Sequence, residues 1–100
     1  MGPSAAIASG LRRRLVIPSE VVFRDLDDEA VLLNLHTGVY FGLDPVATRI
    51  WHLLRQHGRL ADVRDAMLQE YEVSSTTLTA DLIRFADDLL AHGLVEPARG

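Results

Sequence analysis

At Asp44-Pro45 the hydrophobic period of this chain changes from two to about 3.6, and that switch fixes the order in which its parts are built. Before it, Ala30 to Asp44 reads as two short strands folded around His36-Thr37-Gly38, with Gly38 supplying the positive φ that a tight turn demands. Val31, Leu33 and Leu35 alternate along the first of these strands, and Val39, Phe41 and Leu43 along the second. This apolar set is expected to form the buried face. After the switch, Asp44 is a helix cap and Pro45 occupies the first helical position, where a missing N–H costs nothing. Ala47, Ile50, Trp51 and Leu54 form the stripe of a first helix that stops at His57-Gly58. Leu60, Val63, Met67 and Tyr71 mark a second helix. Ser74 or Ser75 caps a third, whose apolar face is Leu78, Leu82, Phe85, Leu89 and Leu90, and which stops at His92-Gly93.

Upstream, Val21 to Leu26 is a further β-rich segment, joined to Ala30 by the acidic turn Asp27-Asp28-Glu29. Leu15-Val16-Ile17 is a short strand or an extended arm behind the solvated run Arg12-Arg13-Arg14. Leu94-Val95 is an apolar return expected to pack back on the core. Strands with short connections, followed by helices, define an α+β class: a three-stranded antiparallel sheet followed by three helices, like a winged helix-turn-helix. The expected organisation is a flexible N-terminal segment over 1–14, one domain over 15–96 and a tail over 97–100.

Composition narrows what such a domain can do. With 48% hydrophobic and 24% charged residues, 100 residues suit one globular domain with its own core. The absence of cysteine excludes disulfides, thiolate metal sites and cysteine nucleophiles. No apolar run is long enough to span a bilayer, so a cytoplasmic location is expected. A net charge of −4 argues against nucleic acid and acidic membranes as general partners.

Catalysis needs polar groups that converge, and this sequence offers few. His36, His52, His57 and His92 are scattered without metal-ligand spacing; His57 and His92 stand at helix ends, where a cation complements the dipole. Gly38 and Gly42 flank a strand and do not open a helix, so no phosphate cradle is formed, and no serine has a nucleophile context. The expectation is a protein without enzymatic activity, metal or cofactor, which leaves binding.

Two surfaces compete for that role. A winged-helix fold invites DNA, yet the third helix carries Asp81, Arg84, Asp87 and Asp88, three negative charges against one positive, where phosphate contacts require cations. The other surface is the strand Val39 to Leu43, which carries neither charge nor proline. If it lies at a sheet edge uncovered by the third helix or the N-terminal arm, an extended peptide can add to it as a further strand.

The run Val31 to Asp44, with its Leu-Asn-x-x-Thr-Gly-x-Tyr-Phe-x-Leu-Asp wording, resembles the PqqD-like family, as do Ala47, Ile50-Trp51, Leu53-Leu54, Asp81 to Phe85 and Leu89 to Val95. These domains are RiPP recognition elements, which bind the leaders of ribosomally made and later modified peptides. The hairpin wording is most similar to the standalone type of lasso peptide pathways, and PqqD proper departs from it. The resemblance, over about residues 20 to 96, implies that a precursor's leader adds as a fourth strand to the third, in the cleft beside the third helix, and is handed to a leader peptidase. Carried over by position, Val39, Tyr40, Phe41 and Gly42 would pair with the leader. Leu78, Asp81, Leu82, Arg84 and Phe85 are the candidates to line the cleft, and the helical period alone does not separate those facing the leader from those facing the core.

Overall fold

A computed structural model describes residues 10–98. The elements are β1 (Leu15–Val16), β2 (Val21–Leu26), β3 (Glu29–Asn34), β4 (Tyr40–Leu43), α1 (Pro45–His57), α2 (Leu60–Glu70), α3 (Ser75–Ala91) and β5 (Glu96–Pro97). β2, β3 and β4 form an antiparallel meander in that order, so β2 and β4 are its two edges. A separate two-stranded sheet pairs β1 with β5, Leu15 opposite Pro97 and Val16 opposite Glu96. This second sheet is absent from the sequence reading, because two-residue strands carry no period. Of the expected N-terminal segment, residues 1–9 lie outside the described residues. Within the rest, Leu11 is buried and Arg13 donates to Asp87 at 2.8 Å.

The helix boundaries follow their caps. The Asp44 carboxylate accepts from the Ala47 N–H at 2.8 Å with Pro45 behind it. Between the two candidate serines the structure selects Ser74, whose hydroxyl accepts from the Thr77 N–H at 3.1 Å. Gly38, Gly58 and Gly93 adopt φ of 77°, 79° and 70°, as a turn and two helix stops require.

Trp51 sits at the centre of the core with no exposed surface, packed edge-on against Phe23 at 6.1 Å between ring centroids. Around it the helices contribute Leu54, Met67, Leu82 and Leu89, and the sheet contributes Leu32 and Leu43. Leu94 and Val95 return to the core as expected, both almost fully buried.

The phase of β3 corrects the sequence reading. Ala30, Leu32 and Asn34 face the core, while Val31 and Leu33 lie on the outer face and Leu35, beyond the strand end, is 62% exposed. Alternation divides a strand into two faces without saying which is inside, and here both faces are rich in apolar residues. Opposite β3, Phe41 and Leu43 lie on the core face as expected.

Asn34 explains why a polar residue occupies that inner face. Its Oδ1 accepts from the His36 and Thr37 N–H groups at 2.8 and 3.0 Å, and its Nδ2 donates to the Gly93 carbonyl at 2.8 Å. The side chain therefore clamps the β3–β4 turn to the turn after α3. A Cβ at Gly93 would stand 3.4 Å from that Nδ2, a second reason for glycine there. Asn34→Ala strands the carbonyl and removes the turn's acceptor, and is expected to lower stability by about 1–3 kcal/mol in urea unfolding.

A second tie joins α1 to the end of α2. Arg49 donates to both carboxylate oxygens of Glu70, at 2.8 and 2.6 Å, and these bonds hold the Glu70 carboxyl below the usual glutamate range. A depressed carboxyl stabilises the fold above its unfolded-state value, about pH 4, and that contribution is lost as pH falls through the lower folded value. Glu70→Gln should therefore lower stability at pH 7 by less than about 1 kcal/mol, since both groups are largely exposed, and change nothing at pH 2; unfolding at both pH values checks it.

Candidate peptide-binding edge

The hydrogen-bond phase of the β3–β4 ladder decides what β4 offers outward. The Asn34 N–H donates to the Val39 carbonyl at 2.9 Å, so Asn34–Val39, Leu32–Phe41 and Ala30–Leu43 are the hydrogen-bonded pairs of an alternating antiparallel ladder. Val39 and Phe41 thus turn their carbonyls toward β3, and the Val39 N–H donates to Thr37 Oγ1 at 3.2 Å. The backbone N–H and C=O groups of Tyr40 and Gly42 point the other way, to an edge that no described strand covers. Of the four strand residues named from the sequence, two face the open edge with their main chain and two face the sheet. Spacing alone could not make that division, which requires the register.

The two edges of the sheet are unlike. β2 carries Arg24 and Asp25, and the Asp25 carboxylate meets His52 Nε2 of α1 at 2.8 Å. Arg55 lies 4.2 Å over the Phe23 ring and reaches His52 Nδ1 at 3.3 Å. Since a guanidinium can only donate, Nδ1 is the acceptor and Nε2 carries the proton toward Asp25. That edge is charged and tied to a helix, a usual way of blunting a strand against further pairing. β4, Tyr-Phe-Gly-Leu, has no charge and no proline and, among the described residues, no such charged tie.

On the core side, β4 approaches the end of α3. The Phe41 ring meets His92 edge-on at 5.1 Å, and His92 Nδ1 lies 2.7 Å from the Asp88 carbonyl. His92 therefore marks the side of α3 that faces β4, and Asp81, Phe85 and Asp88 share that side at helical spacing. The opposite side is marked by Asp87, bonded to Arg13, and by Ile83, which packs on Gly10. Leu78 and Leu82 are buried in the core. Phe85 is half-buried at the core margin, Asp81 is exposed, and the exposed Arg84 reaches to 3.7 Å from the Asp81 carboxylate. Asp88 and His92 are not among the residues named from the sequence for the cleft; Asp88 stands three positions after Phe85 and seven after Asp81, and His92 seven and eleven, the helical spacing that puts them on the side of α3 facing β4.

The outer face of the sheet is largely apolar, and no described element covers it. Val22, Arg24, Leu26, Val31, Leu33 and Tyr40 surround a shallow concavity of about 590 Å3, with Tyr40 73% exposed. An apolar surface of this kind marks contact with another molecule more often than chance exposure. Among the described residues, no three His, Asp or Glu side chains lie close enough to hold a metal ion. Nor does any described helix have the length and apolarity to cross a membrane.

A small α+β domain of winged helix-turn-helix type, with one blunted sheet edge and one bare one, is the class that this fold and site define. Residues 29–95 match the family of coenzyme PQQ synthesis protein D (PqqD), and the chain belongs to the PqqD family. It is similar to TbiB1, solved in complex with the TbiA(beta) leader peptide, at 43% identity and a TM-score of 0.78 over 84% of this chain and 98% of that one. It is also similar to a lasso peptide synthetase B1 complexed with its leader peptide, at 27% identity and a TM-score of 0.75 over 84% and 99% of the two chains. A search of curated proteins found no significant match.

Proposed function

We propose that this protein is a non-catalytic adaptor of lasso peptide biosynthesis, which binds the leader of a precursor peptide as a fourth strand on β4 and delivers it to a leader peptidase. The observation that carries the reading is the bare edge: the outward N–H and C=O groups of Tyr40 and Gly42, on a strand free of charge and proline. Two relatives of the same fold, one of them 43% identical, were solved holding leader peptides. Main-chain bonds at Tyr40 and Gly42 supply affinity that any sequence can use, and the flanking surfaces select. On the core side those surfaces are Phe41, Phe85 and His92, with Asp81 and Asp88 at the rim. Leu78 and Leu82 act behind them as the packing that holds α3 in place.

The DNA-binding alternative finds no favourable feature. Asp81, Asp87 and Asp88 outnumber Arg84 on α3, and the one arginine leans toward Asp81, so the helix would repel a phosphate backbone. Titration of the protein with a synthetic leader from the precursor encoded beside its gene should give saturable binding. Absence of binding at millimolar leader would dismiss the reading, as would a loss of binding caused by modest salt alone together with retention on duplex DNA.

A further inference from the structure

The outer face of the sheet is built in rows of directly opposed residues. Val22, Leu33 and Tyr40 form one row, and Arg24, Val31 and Gly42 form the next. The second row ends at the edge in a residue without a side chain. A Cβ at Gly42 would meet nothing within 4 Å. An open recess of about 270 Å3 lies there, lined by Leu26, Val31 and Gly42 and by the acidic residues Glu29 and Asp44. Gly42 takes an ordinary strand conformation, with no positive φ to require glycine, so its missing side chain calls for another explanation.

Opposed residues of neighbouring strands point to the same face, with Cβ atoms about 5 Å apart, and a large side chain can lie across a glycine and cover it. Resting on strand addition at β4, we propose that Gly42 is a specificity position: the leader residue opposite it carries a large side chain with an apolar body and a hydrogen-bond-donating tip. The body lies over Gly42 against Val31 and Leu26, and the tip meets the carboxylates of Glu29 and Asp44. The Asp44 carboxylate already accepts from the Ala47 N–H and has a second oxygen to offer; Glu29 is exposed and makes no hydrogen bond to a described side chain. Tyrosine and arginine both have this chemistry, whereas glycine, alanine and acidic residues do not.

The variant Gly42→Val separates this recess from the strand addition beneath it. It keeps the outward N–H and C=O and directs its side chain into open space, so the fold is expected to hold, with an unchanged thermal midpoint. Leader affinity is expected to fall about tenfold, with Gly42→Ala between the two. An alanine scan of the leader from the neighbouring precursor, titrated against both proteins, should find one position whose alanine costs at least tenfold on the unaltered protein and almost nothing on Gly42→Val. That residue should be tyrosine or arginine. Equal affinity of Gly42→Val and the unaltered protein overturns the proposal, as does a coupled position that proves small or acidic, and in either case strand addition stands. No binding by the unaltered protein overturns the leader reading and this proposal together.

Discussion

Replacing Gly42 with proline is expected to leave the protein folded and to weaken leader binding by on the order of a hundredfold. The N–H at this position points to the open edge, so no bond of the β3–β4 ladder is lost, and edge positions of this kind are where strands tolerate proline. A strand added to β4 loses a hydrogen bond worth about 1 kcal/mol, and its own carbonyl is left facing the proline ring at a further cost of about 1–3 kcal/mol. Together these correspond to roughly 30- to 1,000-fold in affinity. Proline at Phe41, one residue earlier, behaves in the opposite way: it deletes an N–H turned toward Leu32 and damages the sheet itself. Calorimetric titration paired with thermal unfolding checks both. An unaltered affinity for Gly42→Pro would mean that the leader does not use this edge.

The second large effect is on the fold. Trp51 is completely enclosed, and Trp51→Ala is expected to cost about 3–5 kcal/mol. A domain of this size has only about 5–15 kcal/mol to lose, so the variant should be largely unfolded at moderate temperature. Trp51→Phe is the informative companion. The indole N–H is buried and has no hydrogen-bond partner among the described residues, so removing it with the outer ring gives up volume without giving up a described polar contact. Urea unfolding should show a markedly smaller loss for phenylalanine than for alanine. Similar losses would mean that the indole N–H contributes an interaction that its geometry does not reveal.

The helices were readable because their signals are local. A carboxylate at Asp44, a hydroxyl at Ser74 and glycines at 58 and 93 each act within one turn of chain, and the apolar stripes between them need no distant information. The sheet was readable as strands but not as a surface. The Val31–Leu33–Leu35 set is more apolar than Ala30–Leu32–Asn34, yet the second set is buried, because Asn34 is needed inside to bridge two turns 59 residues apart. Burial on a strand is decided by what packs against it, and here α1 packs on the face with the smaller and more polar residues. The bare edge could be suspected from the lack of charge in Val39 to Leu43. Which residues present their main chain there depends on register, and the cleft side of α3 depends on the contact between Phe41 and His92. Both are long-range facts.

The pairing of β1 with β5 bears on how the domain can be attached to other things. Leu15 stands opposite Pro97, and the Ala98 N–H bonds to the Arg14 carbonyl at 2.8 Å, so the two arms meet next to the turn between α1 and α2, while residues 10–13 run on against α3, Gly10 at Ile83 and Arg13 at Asp87. Anything tethered after residue 98 hangs from this clasp, and anything tethered ahead of residue 10 hangs from the contact of that segment with α3. Tension between two such tethers would strip residues 10–13 from α3 and then open the two-residue clasp pair by pair, before it reached the meander that holds β4.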